Sequence, residues 1–380
     1  MRLLYLVSHP IQYQAPLLRR IAAEAEIELL VLFENMETAG AYFDEGFGAE
    51  ITWDVPVTEG YQFQQVGPLG EIEDRISEAD VMWIHGWDSR LKLRALEAAR
   101  RRGVPVLMRG ENTLAAMPDG GGLRGMFKRT YLRWIFYRCA AFLCIGTDNR
   151  NYYRAHGIDD ARLFSMPYAV DNQFFTQQAE RATETREDFR RQLDLSPSRP
   201  VILFAGKFQQ RKNAAVLAAA FQSLDRGITR DPYLLFVGDG EQREILLAEA
   251  RTDSSVRVVG FRNQRELPAF YDLADVFVLP SSKEPWGLAV NEAMASGCAI
   301  IATNECGCAA DLIDESCGRV VPADDPQSLA SALTEILGDE NTARGMGAKA
   351  RERVSRFGFD EDLAGLSEAM KAVVSAPPQA

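Results

Sequence analysis

Short apolar runs alternate with longer helical patterns along this chain, and the alternation starts twice. In the first half, five β-branched or leucine-rich runs are typical of buried strands: residues 3–7, 27–32, 81–85, 104–108 and 142–145. The stretch 89–102 has one apolar helical face, and Gly103 follows it where a left-handed C-terminal cap belongs. Strand, helix and strand in this order predict a parallel sheet.

The same pattern restarts near residue 200. The predicted strands of this half are residues 201–205, 233–237, 256–259, 276–279 and 299–302. Its predicted helices are residues 214–224, 241–249, 266–271 and 288–295. With 380 residues the chain is long enough for two domains. We therefore predict an α/β fold of two doubly wound, Rossmann-like domains, residues 1–172 and 173–356.

Composition excludes several classes of protein. A formal net charge of −12 argues against a nucleic-acid-binding surface that covers the molecule, because such a surface is basic. No stretch approaches 18 uncharged apolar residues, so we expect no membrane-spanning helix. The apolar run at residues 1–8 is too short for the core of a signal peptide. We expect a cytoplasmic protein without a nucleic-acid partner.

The six cysteines do not form the pattern of a metal site or of a disulfide framework. Cys306 and Cys308 are spaced C-x-C, whereas zinc sites typically pair two C-x₂₋₄-C or histidine elements. The three histidines lie far from this pair in the sequence. We expect buried, reduced thiols and no metal.

The strongest motif begins in the loop after the strand 276–279 and continues into the next predicted helix. Glu284 lies in the loop, Gly287 and Leu288 begin the helix, and Glu292 lies in its first turns. A helix that starts at glycine exposes backbone N–H groups, which attract a phosphate. Carboxylates accept hydrogen bonds from sugar hydroxyls, so a ligand with a phosphate between two sugars fits. The alternative is a helix whose acids merely suit its dipole.

A second motif runs from Gly206 to Asn213, directly after the strand 201–205. It places Lys207 and Lys212 at the start of a helix, which suits a pyrophosphate, although the spacing is not that of a P-loop. The alternative is a solvated basic turn. Two glycine turns, at 237–240 and 259–262, also follow strands, at the edge where open α/β sheets bind ligands.

Together these motifs resemble family 4 of the retaining glycosyltransferases, which have the two-domain GT-B fold. Glu284 and Glu292 match the paired glutamates of that family, and Lys207 and Lys212 match its paired cations, which are usually Arg then Lys. The G-D-G turn at residues 238–240, the segment 273–281 around the strand ahead of the glutamates, and the junction 167–171 match as well. The resemblance covers residues 140–340 well and the whole chain loosely. It is specific for the class of reaction and not for the sugar.

The resemblance implies roles for these residues. Gly206, Lys207 and Lys212 would face the departing diphosphate, and the two lysines would neutralise its charge. Glu284, with the backbone of Gly287 and Leu288, would hold the donor sugar. The remaining donor contacts would come from Glu292 on the ribose hydroxyls and from Phe261 and Arg262 beside the base. Retention would need no protein nucleophile, and donor binding would need no metal or other cofactor.

Three segments depart from the family's pattern. Gln12 and Tyr13 stand where many members have a Gly-Gly loop, which should reshape the acceptor side. Glu111 falls near a position where many members have a histidine beside the donor sugar, and it is either catalytic or a plain loop acid. The segment 307–311 replaces the usual Gly-Gly-x-x-Glu. The first two departures leave the acceptor open.

The leading hypothesis is a retaining glycosyltransferase. It would move a sugar from a nucleoside-diphosphate-sugar donor to a glycan or lipid-linked acceptor in cell-surface polysaccharide or glycoconjugate synthesis. The alternatives are a non-catalytic protein of the same fold that binds sugars or nucleotides, and a sugar-nucleotide epimerase. A dinucleotide oxidoreductase has less support, because residues 8–14 lack G-x-G-x-x-G. In a GT-B protein the two domains face each other across a cleft, and the C-terminal helix, here residues 357–376, packs back on the acceptor-binding domain.

The segment 124–138 combines five basic residues with aromatic ones and contains no acid. A basic amphipathic helix of this kind can lie on the inner face of an anionic membrane. The alternative is a helix that packs on the core with its basic side chains extended to water. Both interpretations stay open in the sequence.

Overall fold

The computed structural model describes residues 1–67, 69–117 and 122–375. Short strands alternate with helices throughout these ranges. The strands are β1 (Arg2–Val7), β2 (Glu28–Phe33), β3 (Tyr42–Asp44), β4 (Ala49–Ile51), β5 (Gln62–Gln65), β6 (Val81–His85), β7 (Val106–Arg109), β8 (Ala141–Cys144), β9 (Leu163–Ser165), β10 (Val201–Ala205), β11 (Tyr233–Val237), β12 (Val256–Gly260), β13 (Val276–Leu279), β14 (Ala299–Thr303) and β15 (Gly318–Val321).

Most of the helices connect these strands, and the last three follow β15. The helices are α1 (Ala15–Ala22), α2 (Leu69–Glu78), α3 (Arg90–Arg102), α4 (Gly122–Phe136), α5 (Thr147–Ala155), α6 (Asn172–Thr183), α7 (Arg186–Gln192), α8 (Ala214–Gln222), α9 (Arg243–Thr252), α10 (Leu267–Leu273), α11 (Leu288–Ser296), α12 (Ala309–Leu312), α13 (Pro326–Leu337), α14 (Glu340–Val354) and α15 (Phe359–Ser375).

The chain divides into two compact units. The first unit contains Met1–Tyr42, Val55–Tyr168 and the segment that begins at Phe359. The second unit contains Phe43–Asp54 and Ala169–Gly358. The sequence analysis placed the boundary at residue 172 and assigned all of residues 1–172 to one domain. The structure differs in grouping Phe43–Asp54 with the second unit, because this segment packs on residues beyond 200.

The first unit is built on a parallel sheet in the order β5-β2-β1-β6-β7-β8-β9. Alternate side chains of β1 enter two separate cores: Leu4 and Leu6 pack with α2 to α5, and Leu3 and Tyr5 pack with α1 and α15. Because both faces are covered, the central strands read as continuous apolar runs rather than as alternating ones. Helix α15 therefore belongs to the core of the unit that begins the chain.

The second unit has a parallel sheet in the order β12-β11-β10-β13-β14-β15. The chain runs outward from β10 to one edge, returns, and continues from β13 to the other edge. The connections after β10 and β13 therefore leave the sheet on opposite sides, and the gap between them lies at the carboxyl ends of the two strands. Open α/β sheets bind ligands at this point.

The predicted α/β architecture is confirmed, and each of the ten predicted strands is present within two residues of its expected bounds. Helix α3 also has the predicted ends. Ser89 accepts a hydrogen bond from the backbone N–H of Lys92 at its start, and Gly103 adopts φ 70° at its end. The predictions omitted the short strands β3, β4, β5, β9 and β15.

Candidate functional site

Two glycine turns at the carboxyl end of the second sheet are packed directly on each other. Gly206 follows β10 with φ +149°, and its N–H donates to the carbonyl of Val237 over 2.9 Å. A Cβ on Gly238 would lie 1.9 Å from the carbonyl oxygen of Gly206, which no side chain could tolerate. The N–H of Phe208 donates to the carbonyl of Asp239 over 2.8 Å and completes the contact. The G-D-G turn therefore supports the loop that carries Lys207.

Lys212 and Glu284 form an ion pair between the loops after β10 and β13. The Lys212 ammonium contacts Oε2 of Glu284, and the guanidinium of Arg211 reaches the same oxygen at 3.4 Å. The Glu284 side chain is only 10% exposed, so this carboxylate is held in place rather than solvated. The structure thus brings together two of the residues that the sequence analysis placed in the site. Arg211, which it did not name, is the third member of the cluster.

The backbone around Glu284 is fixed by the loop that follows β14. Its N–H donates to the carbonyl of Glu305 at 3.1 Å, and its carbonyl accepts from the N–H of Gly307 at 2.9 Å. Gly287 then turns the chain with φ +106° and begins α11. The helix has no side-chain cap at this end. The first N–H groups of such a helix favour an anion.

Glu292 lies on α11, one further turn into the helix, and accepts a hydrogen bond from the hydroxyl of Tyr271 at 2.7 Å. Loss of hydration in this environment raises the pKa of Glu292 to about 7, although the bond from Tyr271 favours the charged form. Burial likewise raises the pKa of Tyr271 well above its ordinary value, so the phenol stays a neutral donor. Tyr271 is a positioning residue that the sequence analysis missed, because it lies on α10, apart from every motif.

The side chain of Phe261 contacts other aromatic residues. Its ring centroid lies 4.7 Å from that of Phe47 and 6.4 Å from that of Trp53. The next residue, Arg262, donates from Nη1 to the carbonyl of Phe261 over 2.8 Å, and its Nε lies 3.6 Å from a carboxylate oxygen of Glu266. This turn follows β12 at the carboxyl end of the sheet. The loop of residues 206–213, which we call the lysine loop, lies at the same end.

A polar cluster occupies the carboxyl ends of the strands in the first unit. Glu111, just after β7, accepts hydrogen bonds from the hydroxyl of Tyr13 at 3.2 Å and from that of Tyr168 at 2.5 Å. His85, the last residue of β6, lies 3.4 Å from the Tyr168 hydroxyl. The structure therefore joins the predicted residues Tyr13 and Glu111. Gln12 lies in the same connection between β1 and α1.

The hydrogen-bonding groups around Glu111 are neutral. Desolvation, aided by the nearby positive charge of Arg109, lowers the pKa of His85 to about 3, so the imidazole is neutral at physiological pH. Burial raises the pKa of Tyr13 and of Tyr168 above the ordinary value, so both phenols remain donors. The cluster therefore offers one carboxylate among neutral hydrogen-bonding groups. His85 and Tyr168 were not predicted, since a strand-end histidine and a buried tyrosine carry no signal of their own.

The cysteines are free and buried, as predicted. Burial raises the pKa of the Cys306 thiol to about 11, so it stays protonated. Within residues 1–67, 69–117 and 122–375, no group of three or more histidine, cysteine or acidic side chains is placed to hold a metal ion.

Helix α4 presents an exposed face that is both apolar and basic. Leu123 and Phe127 are 71% and 70% exposed, and Trp134 is 41% exposed. Its opposite side supplies Leu132 and Ile135 to the core. The exposed basic residues of the same helix are Arg124, Arg129 and Arg133. Among the described residues, no helix is long and apolar enough to cross a membrane.

The second unit resembles a known family of proteins. The family described as glycosyl transferases group 1 matches residues 185–353. The matched range contains the lysine loop, both glutamates and the G-D-G turn.

A D-inositol 3-phosphate glycosyltransferase of Corynebacterium urealyticum is 30% identical over 251 residues, which are 63% of this chain and 58% of that protein. The chain thus spans little more than half the length of this relative, and 52% of a second relative of the same name from Xylanimonas cellulosilytica.

Solved structures of similar fold cover nearly the whole chain. HepE of Anabaena, in complex with UDP, superposes with a TM-score of 0.75 at 15% identity, covering 98% of this chain and 100% of that one. Sucrose-phosphate synthase of Thermosynechococcus elongatus superposes with a TM-score of 0.70 at 20% identity, covering 99% and 100%. At these identities the likeness establishes the fold, which is GT-B. The predicted resemblance to group 1 glycosyltransferases of GT-B fold is confirmed.

Proposed function

We propose that this chain is a retaining glycosyltransferase that moves a sugar from a nucleoside-diphosphate-sugar to a glycan or lipid-linked acceptor in cell-surface polysaccharide or glycoconjugate synthesis. The observation that carries the proposal is the Lys212–Glu284 pair at the uncapped start of α11. A cation, a fixed carboxylate and free helix N–H groups meet there. These groups suit a diphosphate that is joined to a sugar.

In this proposal Lys207, Lys212 and the start of α11 stabilise the charge that develops on the departing diphosphate. Preorganised positive groups at a leaving group are often the largest single contribution to catalysis. Glu284 exchanges its contact with Lys212 for the donor sugar, and Glu292 accepts from the ribose hydroxyls. Phe261 and Arg262 lie beside the base. No metal takes part, because the lysines supply the positive charge. HepE, which has a similar fold, was solved in complex with UDP, and this supports a nucleotide donor.

The first unit would bind the acceptor. The Glu111 carboxylate, held by Tyr13 and Tyr168, is placed to accept a hydrogen bond from an acceptor or sugar hydroxyl. The neutral His85 beside it can accept or donate without adding charge. Gln12 and Tyr13 would shape the acceptor-binding surface of this unit.

Turnover by point variants tests the assignment. Lys212→Ala and Glu284→Ala should each lower the release of nucleoside diphosphate from the sugar donor by at least about 10²-fold, as expected for a lost transition-state contact. The donor is chosen by assaying UDP-, GDP- and ADP-sugars with the unaltered protein. Lys349→Ala, which removes an exposed lysine from α14, serves as the matched control and should leave the rate unchanged. Full activity in both site variants would refute the assignment.

We also propose that α4 contacts the inner face of an anionic membrane, which would place a cytoplasmic protein beside a lipid-linked acceptor. An exposed apolar patch of this kind marks an interaction surface. Basic residues near an anionic surface add about 1 kcal/mol each. The stacked rings of Tyr131 and Trp134 lie 6.2 Å apart on the exposed side of the helix.

Sedimentation with lipid vesicles tests this contact. The protein should bind vesicles that contain phosphatidylserine and bind neutral phosphatidylcholine vesicles far more weakly, and added salt should weaken binding. Phe127→Ala should reduce binding, whereas Ile245→Ala, which removes another exposed apolar side chain, on α9, should not. Equal loss in the two variants, or equal binding to both lipids, would exclude α4 as the specific contact.

A further inference from the structure

A hairpin from the first third of the sequence packs on the proposed diphosphate loop of the second unit. We call this segment, Phe43–Asp54, the hairpin; it contains β4 and most of β3. At its turn, one carboxylate oxygen of Asp44 accepts from the backbone N–H groups of Gly46 and Phe47 at 2.9 and 3.0 Å. These bonds close the turn and fix the direction of the carboxylate.

The Asp44 carboxylate is aimed at Lys207. Its two oxygens lie 2.8 and 2.9 Å from the Lys207 ammonium, and Asp44 is only 8% exposed. The turn is pressed against the same lysine, because a Cβ on Gly46 would lie 2.6 Å from Cδ of Lys207. A Cβ on Gly240 would lie 2.8 Å from the carbonyl oxygen of Gly46. The hairpin therefore covers both the lysine loop and the G-D-G turn.

The hairpin also covers the proposed base side of the site. The edge of one ring, in Phe47 or in Phe261, meets the face of the other at 4.7 Å between centroids. Further along, Nδ2 of Asn263 donates to the carbonyl of Thr52 at 2.6 Å. The N–H of Arg265 donates to the Asp54 carboxylate at 2.9 Å. Three separate contacts thus attach the hairpin to the surface that would receive the nucleotide.

We propose that the hairpin is an internal competitor of the donor, in which Asp44 takes the place of the diphosphate on Lys207. The inference rests on the proposed function of this site. The Lys207 ammonium has three N–H donors. The two oxygens of the Asp44 carboxylate can accept from two of them, which leaves one donor for a phosphate. The other proposed cation, Lys212, is held in the same way by Glu284. Each lysine is therefore paired with a carboxylate that the diphosphate must displace.

This competition has a measurable consequence. When only a fraction of a protein is in the conformation that binds a ligand, the apparent dissociation constant equals the intrinsic constant divided by that fraction. Asp44→Asn keeps an oxygen for the turn and removes the charge that holds Lys207. Since a partly exposed ion pair contributes modestly, we expect nucleoside diphosphate to bind about three- to fivefold more tightly to this variant. Phe47→Ala, which loosens the hairpin without a change of charge, should also tighten binding.

Isothermal titration calorimetry of the full chain decides the matter, with UDP, GDP, ADP and inorganic pyrophosphate as the ligands. Glu50→Gln, an exposed carboxylate on β4, is the matched control and should bind as the unaltered protein does. We expect Asp44→Asn and Phe47→Ala, but not Glu50→Gln, to bind nucleoside diphosphate more tightly than the unaltered protein does.

Binding by Asp44→Asn that is unchanged or weaker, while the unaltered protein binds a nucleoside diphosphate, would overturn the competition and leave the proposed function standing. It would mean that the hairpin either does not oppose the ligand or forms part of its site. Absence of binding by every protein tested would overturn the proposed function and the competition with it.

Discussion

Gly287, at the start of α11, gives the sharpest test of how the site is built. Its backbone has φ +106° and ψ 59°, a region that L residues avoid. A Cβ at this position would also lie 2.7 Å from Cδ2 of Leu279, the last residue of β13. Gly287→Ala therefore adds one methyl group where both the backbone and the neighbouring side chain oppose it.

The loss of stability from the strained backbone and the loss from the contact with Leu279 can be estimated separately. A non-glycine residue in a left-handed conformation costs about 1–2 kcal/mol. Forcing one extra carbon against a packed side chain costs typically about 1–3 kcal/mol, and the lower end applies because Leu279 can rotate. Together they give roughly 2–4 kcal/mol. For a unit of this size each kcal/mol shifts Tm by about 2–4 °C, so Gly287→Ala should lower Tm by about 4–16 °C.

Differential scanning calorimetry with a matched substitution measures the effect. Gly345 lies inside α14, has no positive φ, and has no atom within 4 Å of the position that a Cβ would occupy. Gly345→Ala should therefore stabilise the protein by about 0.4–1 kcal/mol, because alanine restricts the unfolded chain. Opposite signs for the two substitutions are expected. A Tm for Gly287→Ala equal to or above that of the unaltered protein would refute the account of the α11 start.

Four further predictions concern charge and metal. Desolvation raises the pKa of Glu292 to about 7. Between about pH 4.5 and 7 the native state therefore binds more protons than the unfolded state. The free energy of unfolding should fall as pH rises through that window. Nucleoside diphosphate affinity should rise roughly tenfold from pH 6 to 8 as the carboxylate forms, and calorimetry should show a flat profile for Glu292→Gln. Asp362→Ala should lower the free energy of unfolding, measured with denaturant, by about 3–5 kcal/mol, because it leaves Arg109 charged and buried. The double variant Arg109→Met with Asp362→Leu should recover most of that loss. Excess EDTA should leave the thermal shift caused by nucleotide unchanged; a shift that disappears would require a metal in the site.

Strand and helix positions could be predicted because the strands of both central sheets are apolar on both faces. The omitted strand β5 shows the limit of this signal. Its sequence, Gln-Phe-Gln-Gln, reads as a polar loop since it lies at the exposed edge of the sheet. Strand β9 has only three residues, too few for a period to be recognised.

Within the site, the residues that lie in a recognisable motif were found, and those outside every motif were not. Glu284 and Lys212 were identified from separate motifs, and the structure joins them. Asp44 lies 163 residues before Lys207 in a segment with no motif, so no local pattern could indicate their ion pair. Tyr271 was missed for the same reason, because α10 and α11 bring it to Glu292 only in the folded unit.

The central claim is that the second unit binds a nucleoside diphosphate, and thermal shifts with UDP, GDP, ADP, CMP and NAD at equal excess test it most directly. A ligand at about 100 times its dissociation constant adds roughly 2.7 kcal/mol of stability, which is a readily visible shift. We predict a shift with one nucleoside diphosphate that is lost in Lys212→Ala. A shift with NAD alone, or no shift with any of the five, would contradict the claim.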